Sequence, residues 1–223
     1  MNRVCIIPLS QSEYSGMLEF QRHLVGLRNN NRIDDMIIFT EHFHVYTAGI
    51  HTPQDEVGPK GHEWLRVERG GEWTYHGPGQ LVTYFITNLK DRGFNVKDLI
   101  TRVGEAISLY LLDIGIKSEL RLGKETGTWI GTRKICSYGF ALREFTTFHG
   151  LALNVSTDLS MFSNIRPCGY DPEVMTSIKN ETGLEPSLKD AALAVERNLV
   201  GALGYEDVTT TDLNTLRKSL VDQ

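Results

Sequence analysis

The sequence predicts an α+β fold in which helices pack on a mostly antiparallel sheet. Strand-like and helix-like segments are mixed along the 223 residues, without the regular alternation that a parallel sheet requires. Residues 116–155 hold four successive strand-like segments, and Gly131-Thr132 has the glycine-first pattern of a two-residue hairpin turn. We expect a single domain over 1–223, with a sheet-rich body over 1–180 and a helical part over 181–223.

The N-terminal half is predicted to contain short strands, one helix and a loop. Residues 3–9 form an apolar opening strand, and Ser12 is placed to cap a helix whose apolar residues recur at helical spacing. The prolines and glycines of 52–62 predict an exposed loop, and those of 69–80 a tight connection between two strands. Further strand-like segments lie at 36–40, 45–48, 65–68 and 81–87.

The clearest helix in the sequence begins at Asn95. Asn95 and Asp98 have the spacing of a capping box, and Gly115 is placed to end the apolar stripe that follows. In the C-terminal part, Ser187 and Asp212 are expected to cap two further helices.

Composition and charge exclude several classes of function. The net charge of −5 disfavours nucleic acid as a partner, because nucleic-acid binders usually carry a basic face. The apolar segment 4–9 is too short for a signal peptide or a membrane span, so we expect a cytoplasmic protein without a membrane partner. One basic cluster would still suit an acidic or phosphate-bearing partner. It comprises Arg121, Lys124, Arg133, Lys134 and Arg143.

The three cysteines, Cys5, Cys136 and Cys168, are an odd number without metal-site spacing, so neither a zinc site nor a disulfide framework is expected. Pro167 and Gly169 flank Cys168 and predict a turn there. A thiol on a turn suits thioester chemistry when an ammonium lies nearby, since the ammonium stabilises the reactive thiolate. A buried, inert cysteine is an equally good interpretation of these residues alone.

Lys134 is the candidate partner of such a thiol. It lies two residues from Cys136 in a predicted strand, and strand alternation would place both side chains on one face. By spacing alone, Cys136 is therefore the thiol nearer to the lysine, although a thiol within a strand is less accessible than one on a turn.

Glycines and prolines are dense in residues 69–80, between two predicted strands. Such density lets backbone N–H groups converge on a ligand, and Arg69 and His76 add donors suited to a carbonyl, carboxylate or phosphate. The segment is neither a P-loop nor a complete dinucleotide fingerprint. A tight hairpin without a ligand is the alternative, but this density beside Tyr75-His76 favours a binding segment.

These residues carry a family resemblance. Arg-Gly-Gly-x-x-Thr-Tyr-His-Gly-Pro-Gly-Gln at 69–80 resembles the signature of the lipoyl(octanoyl) transferases. The similarity continues in order with Gly-x-x-Lys-Ile-x-Ser-x-Gly at 131–139, Phe-His-Gly-Leu-Ala-Leu-Asn-Val at 148–155 and Pro-Cys-Gly at 167–169. Together these motifs span about residues 36–170.

The resemblance implies a fold shared with biotin and lipoate protein ligases and a ping-pong acyl transfer without a cofactor. Cys168 would take an octanoyl group from octanoyl-acyl carrier protein as a thioester, and Lys134 would lower the pKa of the thiol. The acceptors would be lysines of lipoyl domains, in the E2 subunits of 2-oxoacid dehydrogenases and in the glycine cleavage H protein. The resemblance also places the acyl group on Cys168 rather than on Cys136.

The same resemblance assigns the substrate-binding residues to three segments. They are Arg69, Gly70, Gly71, Glu72, Trp73, Thr74, Tyr75, His76, Ser137, Tyr138, Gly139, Gly150, Leu151 and Ala152. His149 is a secondary candidate, as a base or as a residue that orients the loop. Backbone N–H groups near Gly139 or Gly169 are expected to hold the oxyanion. The candidates for an apolar acyl tunnel are Tyr75, Leu151, Phe140 and Tyr138, which core packing would explain equally well.

One segment departs from the family pattern. Residues 41–49 resemble the motif His-x-Pro-Val-x-Thr-x-Gly, but His44 replaces the proline. The change creates a His42-x-His44 pair with His51 nearby. A metal site would need a third ligand at matching spacing, so ordinary polar contacts are favoured and no metal is expected.

Two other functions are compatible with the sequence. An ATP-dependent lipoate or biotin ligase would use the glycine-rich segment and Lys134 around an adenylate phosphate, but it needs no nucleophilic cysteine. A non-catalytic binder of carrier domains would give Cys168 and Lys134 no reason to converge. The Pro-Cys-Gly turn therefore favours the transferase.

Overall fold

The structure is a computed structural model that describes residues 2–221, apart from the side chains of residues 168 and 221. Its strands are β1 (Arg3–Ser12), β2 (Asp35–His42), β3 (Val45–Ala48), β4 (Trp64–Arg66), β5 (Trp73–His76), β6 (Gln80–Ile86), β7 (Glu119–Arg121), β8 (Gly127–Ile130), β9 (Arg133–Arg143), β10 (Thr146–Asn154) and β11 (Asp207–Thr210). Its helices are α1 (Tyr14–Asn29), α2 (Leu89–Arg92), α3 (Val96–Asp113), α4 (Ile178–Thr182), α5 (Leu188–Leu203) and α6 (Leu213–Val221). Short 3₁₀ turns lie at Gly123–Glu125, Leu159–Asn164, Pro167–Gly169 and Pro172–Val174.

The strands form two sheets. The larger has eight strands in the order β11-β1-β2-β6-β10-β9-β8-β7, and the smaller has three in the order β4-β3-β5. In the larger sheet, each strand from β2 across to the edge strand β7 is antiparallel to the next. β1 runs parallel to both β2 and β11. The predicted α+β fold with a mostly antiparallel sheet is confirmed.

Apolar layers cover both faces of the larger sheet. Along β6, Leu81 and Phe85 belong to the layer shared with α3 and α5, while Val82 and Tyr84 belong to the layer shared with α1. This alternation is the period of two that a strand buried on both faces must show. A third cluster, around Tyr46, packs against the smaller sheet.

Two elements differ from the prediction. β1 continues to Ser12 and α1 begins at Tyr14, so Ser12 does not cap the helix. The Ser12 hydroxyl instead lies 2.8 Å from Oγ1 of Thr40 on the neighbouring strand, because β1 pairs with β2 as far as this residue. Residues 73–76, predicted as part of a connection, form β5, whose pairing with β3 supplies the backbone partners.

The C-terminal residues contribute to the same sheet and core as the rest of the chain. β11 pairs with β1, and Leu199 of α5 lies in the layer shared with α3. The predicted subdivision near residue 180 stays a prediction. The N-caps at Ser187 and Asp212 are confirmed, since each side chain accepts a hydrogen bond from a backbone N–H three residues on. None of the helices described within 2–221 is long and apolar enough to cross a membrane.

The capping box at α3 gives a direct test of the fold. The Asn95 side chain accepts from the Asp98 N–H, and the Asp98 carboxylate accepts from the Asn95 N–H, both at 2.9 Å. We expect Asn95→Ala to lower the free energy of unfolding by about 1 kcal/mol, because it leaves a helix N–H without its partner. Urea unfolding measures the change. Lys97→Ala, in the same turn, is the control and should have little effect; equal effects of the two variants would contradict the cap.

Candidate active site

A pocket that is partly open to solvent lies over the face of the larger sheet formed by β6, β10 and β9. Its floor follows from strand pairing, because alternate residues of each strand face the same side. The floor consists of two cross-strand rows, Val82–Ala152–Ser137 and Tyr84–Gly150–Gly139. The other lining residues are Tyr14 of α1, Arg69, Gly70, Thr74, His76, Tyr138, His149 and Leu151.

The glycine pair in the floor allows close packing around the pocket. A Cβ at Gly150 would lie 2.0 Å from the carbonyl oxygen of Thr83, so β10 could not pair with β6 at this position with a larger residue. A Cβ at Gly139 would lie 3.1 Å from Cδ of Arg69, which packs over it. Both glycines therefore bring the surrounding residues close to the sheet.

The predicted binding segment 69–76 is divided by strand alternation in β5. Thr74 and His76 line the pocket, whereas Trp73 and Tyr75 belong to the apolar cluster of the smaller sheet. Tyr75 therefore packs in an apolar cluster outside this pocket lining, and its place in an acyl tunnel stays a prediction. Phe140 also lies outside the pocket lining, against the core layer of α3, although the other two tunnel candidates border the pocket.

Arg69 joins the glycine-rich segment to the smaller sheet. Its Nη2 donates to the carbonyl oxygen of Thr47 at 2.6 Å, and its Nη1 donates to the carbonyl oxygen of Gly70 at 3.1 Å. Gly71 and Glu72 lie beside the pocket lining rather than in it, and their carbonyl oxygens accept backbone hydrogen bonds from residues 51 and 49. Arg69 thus fixes the shape of the segment.

Three residues of the pocket were absent from the sequence prediction: Tyr14, Val82 and Tyr84. Val82 and Tyr84 lie two and four residues after Gln80, the last residue of the 69–80 motif, and so share its face of β6. Strand periodicity would therefore have indicated them. Tyr14 comes from α1 and reaches the pocket only through tertiary packing. No local pattern in the sequence marks it.

His149 reaches the pocket through an unusual backbone conformation. Its φ of 59° is in the left-handed region, which histidine adopts more often than most residues. Its Nδ1 lies 3.5 Å from the Tyr14 hydroxyl, and its Nε2 lies 3.9 Å from a carboxylate oxygen of Glu68. His149, together with Arg22, holds the pKa of the Glu68 carboxyl at about 2, so this group stays ionised at neutral pH.

Three buried histidines surround the pocket, and all are neutral at pH 7. Burial lowers the pKa of His42 to about 4 and the pKa of His76 well below its ordinary value. It also lowers the pKa of His149, against the opposing effect of Glu68. Burial removes the water that would stabilise an imidazolium, so the uncharged form is favoured.

Two histidines of the 41–51 segment, His42 and His44, make polar contacts with tyrosines. Nε2 of His42 lies 2.7 Å from the Tyr84 hydroxyl, and Nδ1 of His44 lies 2.7 Å from the Tyr75 hydroxyl. Among the side chains that the structure describes, no three His, Cys, Asp or Glu residues form a group that could hold a metal ion.

A β-bulge interrupts the strand that carries Lys134. Thr128 of β8 pairs with Cys136, but the next residue, Trp129, pairs with Lys134. One step along β8 therefore corresponds to two steps along β9, and Ile135 is the extra residue. Such bulges redirect the side chains on either side of them.

The bulge places Lys134 on the pocket side of the sheet. Ile135 and Cys136 both belong to the core layer of α3, so Lys134 faces the opposite way, like Ser137. A Cβ at Gly127, which pairs with Ser137, would lie 2.3 Å from Cε of Lys134. The prediction that Lys134 and Cys136 share a face is wrong because the alternation is broken between them.

Cys136 is unsuited to nucleophilic chemistry. It is fully buried, and burial raises the pKa of its thiol to about 12. Because the thiolate is the reactive form, the thiol remains inert at neutral pH.

Cys168 lies in the 3₁₀ turn Pro167–Gly169, as predicted for a residue between proline and glycine; its side chain is outside the described residues. Gly169 has a φ of 78°, which a residue with a side chain would rarely adopt. The Gly169 N–H donates to the carbonyl oxygen of Arg166 at 3.1 Å. The expectation that this N–H serves the oxyanion is not supported, since the turn itself uses it.

Trp129 connects the lysine to the cysteine turn. Nζ of Lys134 lies 5.6 Å from the centre of the Trp129 ring, and the ring of Tyr170 lies 5.8 Å from it. Tyr170 follows the turn directly, and its N–H donates to the carbonyl oxygen of Pro167. Lys134 and Tyr170, the residue that follows the turn, therefore lie against the same aromatic ring.

The predicted basic cluster does not form a docking patch as drawn from the sequence. Lys134 is buried, with 3% of its surface exposed. Arg121 pairs with Glu119, and Arg133 pairs with Glu181 at 2.7 Å, so neighbouring carboxylates offset both charges.

Comparison with known sequences identifies the family. Residues 13–200 match the family described as "Lipoyl protein ligase A/B catalytic domain". The chain belongs to this family. A relative named "Probable octanoyltransferase 2", from Picrophilus torridus, is 51% identical over 172 residues, which cover 77% of this chain and 67% of that protein. An "Octanoyltransferase" from Dictyoglomus turgidum is 35% identical over 226 residues, covering 98% and 95% of the two chains.

Solved structures share the fold of this family member at low sequence identity. Lipoate-protein ligase A bound with ATP superposes with a TM-score of 0.73 at 17% identity, covering 100% of this chain and 95% of that one. A bi-partite lipoate protein ligase of Thermoplasma acidophilum, described with its E2 lipoyl domain, superposes with a TM-score of 0.69 at 18% sequence identity, covering 100% of this chain and 93% of that one. Biotin protein ligase from Aquifex aeolicus superposes with a TM-score of 0.52 at 15% sequence identity, covering 92% of this chain and 70% of that one. The predicted relation to the biotin and lipoate ligase fold is confirmed.

The buried imidazole of His42 makes stability depend on pH. In the unfolded chain it takes up a proton near pH 6.5, but in the folded protein only near pH 4, so stability falls as pH drops between these values. We expect this group to lower the free energy of unfolding by about 2 kcal/mol when the pH falls from 7 to 5. Urea unfolding at both pH values measures the loss. His42→Gln should reduce it by that amount, and an unchanged pH dependence in the variant would refute the assignment.

Proposed function

We propose that this chain transfers octanoyl groups in protein lipoylation through a covalent thioester on Cys168. The enzyme class follows from relatives named octanoyltransferase that align with most of the chain. The observation that carries the mechanism is the bulge at Ile135, which turns Lys134 to the pocket side and toward the ring of Trp129. The same ring contacts Tyr170, the residue that follows the cysteine turn.

In the first step, the Cys168 thiolate attacks the carbonyl carbon of octanoyl-acyl carrier protein. A C–S bond to Cys168 forms, the C–S bond to the carrier breaks, and the carrier leaves as a thiolate that takes up the proton Cys168 gave up. Lys134 supplies positive charge that favours the thiolate over the thiol. Since the reaction needs a reduced thiol, we place it in a reducing compartment, the cytoplasm.

In the second step, a lysine amine of a lipoyl domain attacks the acyl-enzyme. A C–N bond forms, the C–S bond to Cys168 breaks, and the proton lost by the amine returns to the thiolate. Exchange between thioesters is nearly balanced in free energy, whereas conversion of a thioester to an amide is favourable and drives the cycle. The acceptors that we propose are lipoyl domains of E2 subunits and of the glycine cleavage H protein; a ligase that shares this fold is described with its E2 lipoyl domain.

The pocket is suited to hold the acyl chain beside the reacting carbonyl. Its floor and walls include Val82, Ala152 and the rings of Tyr14 and Tyr84, which offer apolar surface to a hydrocarbon chain. The surrounding histidines are neutral, so the pocket buries no imidazolium charge next to that chain. Gly139, the other candidate for the oxyanion, pairs with Gly150 in the ladder between β9 and β10, and its role there stays a prediction.

Intact-protein mass spectrometry tests the covalent step. The enzyme is mixed with octanoyl-acyl carrier protein without ATP, and any adduct is located by peptide mapping. We expect one octanoyl group on Cys168, discharged when a lipoyl domain is added. Cys168→Ser should abolish turnover, while Cys136→Ser, the matched control thiol, should form the adduct normally. Modification of a lipoyl domain only with ATP and free octanoic acid would assign the chain to the ligases.

Gly127 gives a separate test of the lysine. Because its missing Cβ leaves the space that Cε of Lys134 occupies, Gly127→Ala should displace the ammonium and slow acyl-enzyme formation by about 100-fold. Stopped-flow or quenched mass spectrometry gives the rate. Gly201→Ala, at a helical glycine with open space around it, is the matched control. If Gly127→Ala folds and reacts at the normal rate, Lys134 does not act from this position.

A further inference from the structure

A chain of buried amides runs from the pocket to the strand of Lys134. Gln80 and Asn154 pair across β6 and β10, and each is 1% exposed. Oε1 of Gln80 lies 2.8 Å from Nδ1 of His76, and Nε2 of Gln80 lies 2.9 Å from Oδ1 of Asn154. Nδ2 of Asn154 lies 3.0 Å from the Thr176 carbonyl oxygen, and the Thr176 N–H donates to the Lys134 carbonyl oxygen at 2.9 Å.

Backbone carbonyl groups determine which end of each side-chain amide donates and which accepts. The Thr176 carbonyl oxygen only accepts, so Nδ2 of Asn154 must face it and Oδ1 must face Gln80. Gln80 then turns Nε2 to Asn154 and to the Tyr75 carbonyl oxygen at 3.2 Å, and it turns Oε1 to His76. If the oxygen and nitrogen of either amide were exchanged, two of its contacts would join two donors or two acceptors.

The order of the amides determines the tautomer of His76. Since Oε1 of Gln80 only accepts, Nδ1 of His76 carries the ring proton, and the neutral ring has its lone pair at Nε2. The sequence led us to expect a donor here, suited to a carbonyl oxygen. In the structure the free ring nitrogen is an acceptor, so it suits an N–H group of a bound molecule instead.

We propose that Gln80 and Asn154 are positioning residues, which hold His76 as an acceptor for the incoming lysine amine and tie the segment after the cysteine turn to Lys134. The assignment of the amine rests on the proposed octanoyl transfer, whereas the tautomer does not. A hydrogen bond from one N–H to Nε2 orients the amine and leaves its nitrogen lone pair directed to the thioester carbon.

The same chain fixes the backbone between the two reacting groups. Residues 167–169 and 175–176 are joined by one short turn, Pro172–Val174, and Met175 forms a bridge to Lys134. Asn154 holds the carbonyl of Thr176 from the opposite side. The side-chain amides of Gln80 and Asn154 therefore connect His76 with residues 175–176, the segment that follows the cysteine turn.

Nitrogen NMR of the intact wild-type protein tests the tautomer without any reaction. With ¹⁵N-labelled histidine, two-bond correlations distinguish a proton on Nδ1 from one on Nε2, and His76→Gln assigns the signals. We expect His76 as the Nδ1–H tautomer, unchanged across the neutral pH range. A proton on Nε2, or a charged ring at neutral pH, would overturn the proposal.

Gln80→Glu tests the role in the reaction. The carboxylate would face Nδ1 of His76 and favour the imidazolium, which adds a proton at Nε2. We expect discharge of the acyl-enzyme by a lipoyl domain to slow roughly tenfold, with a loss that deepens as pH falls, while acyl-enzyme formation changes little. Asn198→Asp is the control, since its amide donates to the Ala106 carbonyl oxygen on α3, outside the pocket lining.

The two arms separate the possible failures. Equal slowing of both half-reactions, with an unchanged pH profile, would show that Gln80 acts only through stability and would overturn the positioning role. If the wild-type enzyme forms no acyl-enzyme at all, the proposed function fails, and the NMR result still decides the state of His76. If Gln80→Glu does not fold, the wild-type tautomer remains a complete test of the amide order.

Discussion

The site depends on the hydrogen-bond register that holds β10 between β6 and β9. Pairing of Gly150 with Tyr84 on one side and with Gly139 on the other brings every floor residue to one face. A slip of one residue would exchange that face for the core layer of α3 and α5. Gly150 protects the register, because no larger residue fits against the Thr83 carbonyl oxygen.

Apart from Arg69, the polar side chains that line the pocket carry no charge. Its histidines are buried and neutral, and two of them bond to a tyrosine hydroxyl or a glutamine amide rather than to an ion. Burying charges would cost far more than burying satisfied neutral dipoles. The ionised carboxylate of Glu68 stays at the edge, half-exposed and paired with Arg22. An apolar acyl chain can therefore lie beside hydrogen-bonding groups without separating an ion pair from water.

Local signals in the sequence predicted those features that local chemistry determines. Asn95 and Asp98 cap α3 as their spacing indicated, and the Pro-Cys-Gly sequence forms the turn expected at Cys168. The strand β5 was hidden within the glycine-rich segment because its stability comes from pairing with β3. Tyr14 was missed for a similar reason, since α1 brings it to the pocket through tertiary packing. The prediction that Lys134 and Cys136 share a face failed because it assumed a regular ladder, which the bulge at Ile135 interrupts.

That bulge separates the direction of the Lys134 side chain from the even spacing between Lys134 and Cys136. Ile135 adds its side chain to the core, and another aliphatic residue would serve there. A regular ladder that kept Ile135 would turn Lys134 into the layer where Cys136 now lies. A strand without this residue would pair regularly and still hold the lysine opposite Trp129, on the pocket side. In an alignment of related chains, a gap of one residue at position 135 is therefore compatible with a lysine on the pocket side.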